Sequence, residues 1–358
     1  MKTLLISHTH PPSVGGIENQ NYELSYWLSK ITDLQTLANR KGKIFLPIFM
    51  LFAFFQGLFL EYDVIFLGSA VLSPIGWLLK VIRRKPVVSI VHGLDLTFQN
   101  RLYQLVWVKF CTTRLDKIIA VGRETLRIAE KKGVSKEKLV FIPNGVNVHR
   151  HAGKFSRVDL AILLGQKLEN RKILLTSGRL VKRKGVAWFI RNVLVRLPKN
   201  VLYVIAGDGL DQRNVLDAIQ ILPDRVQWLG YVTDPIRDIL FHTCDVFVQP
   251  NIKIEGDMEG FGISVIEAAF CRIPVLASRL EGLQDAIQEG KNGFLVEPEN
   301  PEAWVEKILQ TLSIPNFRAE QGEQFRNFVI ANYRWEKIAE VYRTEIEKVH
   351  VLHSTQGR

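Results

Sequence analysis

Short apolar runs, each closing on a glycine, a proline or a polar loop and most of them followed by apolar residues at helical spacing, recur along the whole chain. Runs at 3–7, 34–38, 63–67, 87–91, 116–121 and 139–142 form one series, and runs at 173–177, 201–206, 226–229, 245–250 and 275–277 form a second. A strand that is followed by a helix returns to its sheet most simply as a parallel neighbour, so this alternation points to α/β domains with parallel sheets. Two series imply two domains, and 358 residues suit about that number. The first is expected over 1–155 and the second over 156–332, with the polar and basic stretch 150–170 read as linker and lead-in.

A net charge of +11 and a pI near 9.5 call for an anionic partner: a nucleotide, a nucleic acid or an acidic membrane. Low-complexity segments and internal repeats are absent from the sequence. Cys111, Cys244 and Cys271 are far apart and form no C-x-x-C pair, which favours a reducing, cytoplasmic setting without a disulfide or zinc framework. The apolar start, 4–6, is too short for a signal peptide and reads as the first strand. His8 and His10 are two apart, as are His149 and His151, but neither pair has a third ligand nearby, so no metal site is expected.

Residues 259–267 read EGFGISVIE. Gly262 falls where loop becomes helix, and the unpaired N–H groups of a helix start favour a phosphate or another anion. Glu259 and Glu267 flank this seat, and two carboxylates around an anion need hydroxyl donors, such as those of a sugar or a ribose. Arg179, Lys182, Arg183 and Lys184 put four cations in six positions before a helix, which again suggests a bound anion. Gly15 and Gly16 follow the first strand and allow close backbone approach to a ligand. His92 stands at the C-terminal end of the strand 87–91, the edge where parallel sheets bind ligands. Gly207-Asp208-Gly209 lacks the third glycine of a dinucleotide fingerprint and gives poor support for NAD.

In this order the motifs resemble those of the retaining glycosyltransferases of family 4, whose two Rossmann-like domains face a cleft in the GT-B fold. The resemblance implies a sugar transferred with retention from a nucleoside-diphosphate sugar to a hydroxyl acceptor, a lipid-linked one among those the family uses, with no cofactor, metal or nucleic acid. Arg179 and Lys184 would bind the donor diphosphate, and Glu259, with the backbone of Phe261, Gly262 and Ile263, the sugar and phosphate. Glu267 would hold the ribose, and Gly207, Tyr231 and Val232 would lie along the nucleotide. Gly15 and Gly16 would cover the donor, and His92 would point at the sugar or the acceptor. The Pro143-Asn144-Gly145 turn matches a segment preceding the family's second domain, and its final helix, here 333–350, packs back on the first. Two other readings are a nucleotide-sugar epimerase on the same architecture and a non-catalytic nucleotide-binding protein.

One stretch stands outside these motifs. Residues 44–60 carry no charge and are apolar on nearly every face, so a helix there is either buried or in contact with lipid. Three placements follow: a core helix covered by its neighbours, a span, or a helix lying shallowly in the cytosolic face of a membrane with Arg40, Lys41 and Lys43 near anionic headgroups.

Overall fold

The computed structural model describes residues 1–12, 15–149, 153 and 155–356 of the chain. It divides into two units, Met1–Gly145 with Gly256–Phe261 and Tyr333–Arg358, and Val146–Glu255 with Gly262–Asn332.

The first unit is built on β1 (Lys2–Ser7), β2 (Asp33–Ala38), β3 (Val64–Leu67), β4 (Val87–Val91), β5 (Lys117–Ala120) and β6 (Leu139–Phe141). These strands pair in parallel in the order β2-β1-β3-β4-β5-β6. Successive side chains of a strand point to opposite faces. Leu4 and Ile6 accordingly enter one core, beneath α2 (Leu46–Phe59) and α3 (Ser73–Arg83), while Leu5 enters the other. That second core is closed by Leu24 and Leu28 of α1 (Gly16–Ser29) and by Trp335, Tyr342 and Ile346 of the long helix Trp335–Gln356.

The second unit repeats the plan with β7 (Lys172–Ser177), β8 (Val201–Ala206), β9 (Val226–Trp228), β10 (Val246–Gln249), β11 (Val275–Ser278) and β12 (Phe294–Val296). The parallel order is β12-β11-β10-β7-β8-β9. One of its cores gathers Leu174, Tyr203, Ile205 and Val248 with the rings of Phe189 and Trp304. Both sheets reverse their winding direction once, beside β1 and β3 in the first and beside β7 and β10 in the second. At such a reversal, loops leaving the C-terminal ends of adjacent strands diverge and open a crevice.

Two expectations are corrected. The stretch read as linker contains a helix, Arg157–Leu164, whose start is fixed by a capping box between Ser156 and Asp159 and whose end is Gly165 in the left-handed region; Arg150, His151, Ala152 and Lys154 lie outside the described residues. The apolar run is not a covered core helix. Only Phe49, Ala53 and Gly57 of α2 are buried, and its outer residues stay exposed. No helix among the described residues is long and apolar enough to cross a membrane. The three cysteines are buried free thiols.

Candidate functional site

In the second unit, loops after β7, β8 and β9 are laced together by backbone hydrogen bonds at the C-terminal edge of the sheet. Leu180 N donates to Asp208 O at 2.9 Å, Asp211 N to Leu180 O at 3.0 Å and Gly207 N to Gly230 O at 2.7 Å. Trp228 Nε1 donates to Gly207 O at 2.7 Å, locking the third loop to the second. The approach is so close that a Cβ at Gly207 (φ +149°) would stand 1.9 Å from the Gly178 carbonyl oxygen. On the other side of the winding reversal, Ile252 N donates to Arg183 O at 2.9 Å, and a Cβ at Gly185 (φ +66°) would stand 1.9 Å from Pro250 O. Only glycine fits either place without moving backbone. The basic loop is thereby pinned between the ends of β7 and β10.

Arg179 is exposed on this loop, whereas Lys184 is 8 % exposed and sits within it. Burying an ammonium is costly unless charge or dipoles compensate it, so Lys184 is held in place by its surroundings. Gly262, at φ +92°, caps the helix Ile263–Phe270, and Ser264 Oγ donates to Gln249 Oε1 at 2.8 Å, fastening that helix start to the end of β10. Glu267 lies half-buried one turn further on. It faces Arg237, whose guanidinium is disfavoured by burial but is raised above its ordinary pKa by Glu267, Asp234 and Asp238. Tyr231 is exposed and Val232 partly so on the loop after β9.

In the first unit, the loop after β4 is organised by a residue to which the sequence reading gave no role. Asp95 is buried, and its Oδ1 accepts the backbone N–H of His92 and Gly93 while Oδ2 accepts from Ser69 Oγ and Ala70 N. The carboxylate thus ties the ends of β3 and β4 together. His92 Nε2 lies 2.9 Å from Gly68 O, so Nε2 carries a proton and donates it as a hydrogen bond to that carbonyl. Beside it, burial and the charge of His92 hold the His8 imidazole down at about 4. The segment Gly256–Phe261 packs here too. Gly260 approaches His92 so closely that a Cβ on it would meet the His92 carbonyl oxygen at 2.6 Å. Glu259 is buried within that segment, and Phe261 is a core residue whose ring meets Tyr333 edge to face at 5.9 Å. Gly15 precedes α1 and Gly16 opens it; Ser13 and Val14 lie outside the described residues.

Each unit therefore collects its own set. His92 and Glu259 share the first; Arg179, Lys184, Gly207, Tyr231, Val232, Gly262, Ile263 and Glu267 occupy loop ends and one helix of the second. No three His, Cys, Asp or Glu side chains group as a metal site among the described residues. Asp95 and Arg237 are the additions. A signal for Asp95 was present, an acidic side chain three positions after a strand-ending histidine, where it can take up the loop's free N–H groups.

A family model described as glycosyl transferases group 1 matches residues 165–328, and one described as glycosyltransferase family 4 matches residues 18–150. The chain belongs to glycosyltransferase family 4. Among its relatives is the GDP-mannose-dependent alpha-(1-6)-phosphatidylinositol monomannoside mannosyltransferase of Mycolicibacterium smegmatis, 25 % identical over 372 residues, covering 93 % of this chain and 94 % of that protein. An uncharacterized glycosyltransferase of Methanocaldococcus jannaschii is 27 % identical over 305 residues, covering 80 % and 76 %. Anabaena HepE, solved in complex with UDP, matches with a TM-score of 0.78 at 19 % identity over 97 % of this chain and 100 % of its own. Sucrose-phosphate synthase from Thermosynechococcus elongatus matches with a TM-score of 0.78 at 20 % identity over the same shares. At these identities the structural likeness establishes the fold, GT-B.

Proposed function

We propose that this family 4 glycosyltransferase moves a sugar, with retention of configuration, from a nucleoside-diphosphate sugar to a hydroxyl on a lipid-borne acceptor at a membrane surface. The observation that carries the donor half is the pinned basic loop of the second unit, with Lys184 buried and Arg179 exposed beside the winding reversal. Cations fixed there meet the charge that grows on the diphosphate as the anomeric C–O bond breaks. The acceptor oxygen bonds to the anomeric carbon from the same face, and its proton passes to the departing phosphate oxygen. No enzyme nucleophile is assigned. Glu259 and the backbone at Phe261 to Ile263 position the sugar, and Glu267 accepts the ribose hydroxyls. Gly15 and Gly16 cover the donor, Gly207, Tyr231 and Val232 flank its nucleotide, and His92 faces the sugar or the acceptor.

The relatives support two donors. The mycobacterial enzyme is GDP-mannose-dependent, and HepE was solved with UDP. Incubation with UDP-glucose and GDP-mannose, with and without lipid-extract acceptors, and detection of released nucleoside diphosphate is the test. Acceptor-dependent release from either donor is expected; none from a broad set of nucleotide sugars would overturn the reading. Differential melting with UDP and GDP then chooses the base, because a ligand at a hundred times its dissociation constant adds about 2.7 kcal/mol.

A further inference from the structure

We propose that α2, α3 and the π-helix Gln104–Cys111 form one docking surface for an anionic phospholipid bilayer, a proposal that deepens the lipid-acceptor reading above by naming the surface that meets the lipid. The three helices cover the same core of the first sheet, to which Phe49 and Ala53, Ile75 and Leu79, and Val108 contribute respectively. They are also joined to one another. A Cβ on Gly57 of α2 would stand 2.7 Å from Leu79 of α3, Arg83 donates to the carbonyls of Leu58 and Leu60, and the rings of Trp77 and Phe110 meet at 4.9 Å.

What these helices turn outward is apolar. Along α2 the buried residues recur every fourth position, at Phe49, Ala53 and Gly57, and the opposite face holds Ile48, Leu51, Phe52, Phe55 and Phe59 at 51–81 % exposure. Val81 and Ile82 of α3, Leu102 just before the third helix and Leu105 within it are likewise exposed by more than half. A helix bathed in water normally turns polar side chains outward, and exposed apolar residues gathered on packed neighbouring helices mark an interaction site.

Charge selects the occupant. Between residues 34 and 115 there are ten lysines and arginines against three acidic residues. Of those three, Asp95 is buried, Glu61 is paired with Lys2, and Asp63 accepts the Lys2 backbone N–H. Arg40, Lys41 and Lys43 stand exposed just before α2. Arg101 and Lys109 flank Leu105 in a recess of about 460 Å³. A second copy of this chain would bring like charge to like charge, which disfavours self-association. A bilayer with anionic headgroups offers the complement to both features at once, hydrocarbon for the apolar face and phosphates for its basic border. Fourteen residues of α2 reach about 21 Å, short of the roughly 30 Å hydrocarbon core, so the helix lies in the interface rather than across it.

The test is co-sedimentation of the full chain with phosphatidylcholine vesicles, with and without phosphatidylglycerol, at low and high salt. Binding to the anionic vesicles is expected, weakened by salt. Replacing Arg40, Lys41 and Lys43 with alanine should lower it roughly a hundredfold. The pair Phe52→Asp and Phe55→Asp should lower it at least about tenfold with the melting temperature retained, since both rings are already in water. Absence of binding at low salt, or binding unchanged in both variants, would overturn the proposal. So would a solution dimer that the phenylalanine variant dissociates while vesicles are ignored, which would assign the face to a second copy. The readout uses neither donor nor acceptor, so its failure leaves the transfer reading standing and the reverse holds as well.

Discussion

The carboxylate of Asp95 receives the backbone N–H of His92 at 2.9 Å, and through its other oxygen it holds the loop after β3. An amide at this position keeps one accepting oxygen and presents N–H groups to the remaining donors. Asp95→Asn is therefore expected to cost about 2 kcal/mol of stability, since buried donors lose their partner. Displacement of His92 should also lower kcat by roughly tenfold or more. Calorimetry with free nucleoside diphosphate separates the two effects from nucleotide binding, which should not change, because Arg179, Lys184 and Glu267, the residues proposed to hold the diphosphate and ribose, lie in the other unit.

Removing either cation of the proposed diphosphate site should slow turnover by roughly a hundredfold, because on that proposal each meets charge that develops in the transition state. Their folding consequences differ. Arg179 is exposed, and Arg179→Ala should leave the melting temperature in place; Lys184 is buried, so Lys184→Met, which keeps the stem volume, is the informative change. The proposed roles give these cations the place a metal would take, so turnover is expected to survive EDTA. Steady-state kinetics on purified variants, with and without chelator, check both statements.

Glu267→Gln is expected to weaken nucleoside-diphosphate binding by roughly tenfold, as an ionised acceptor of ribose hydroxyls becomes a neutral one. It also removes a charge that Arg237 faces. Titration calorimetry with UDP and GDP reads the change directly, and equal affinity in wild type and variant would remove the assigned role.

Stability should fall on mild acidification through His8. Burial, with the charge of His92 and Lys43 and against that of Asp95, lowers its pKa from 6.5 to about 4. Such a group takes up a proton when the chain unfolds, so its contribution is complete above about pH 6.5 and is lost as pH falls from there toward 4. One proton limits the slope to about 1.4 kcal/mol per pH unit. Melting curves of wild type and His8→Asn across that window should diverge in slope, with the variant the flatter of the two.

The strands were legible because a buried parallel strand is an uninterrupted apolar run, and the motif 259–267 because its glycine marks a change from loop to helix. Other features left weaker traces. The capping box at Ser156 and Asp159 was hidden by the polar, basic residues before it, which read as linker. The exposed face of α2 could not be phased, since a helix that is apolar on every side has no polar stripe to say which side meets the core. Nor does the sequence reveal that Gly256–Phe261 packs with the first unit while Gly262 belongs to the second. That division is a matter of long-range contacts, and local spacing carries no record of them. The π-helix Gln104–Cys111 likewise depends on packing against α3, seen in Trp77 and Phe110, and its residues show no distinctive period.

The two pinned glycines have a consequence for how such an enzyme could be altered. At Gly185 and Gly207 the missing Cβ would collide with a main-chain oxygen, which has no rotamer to swing aside. A saturation library at either position should return glycine alone among active clones. Close to them, Leu210 is 99 % exposed and Tyr231 65 % exposed, so their side chains carry little of the packing and can be exchanged at a cost of about 0.5 kcal/mol or less. With the donor seated as proposed, backbone that tolerates no side chain would hold it beside side chains that can be exchanged freely, so a search for altered donor preference should start at Tyr231, with the exposed Leu210 as its neighbour along the same loops.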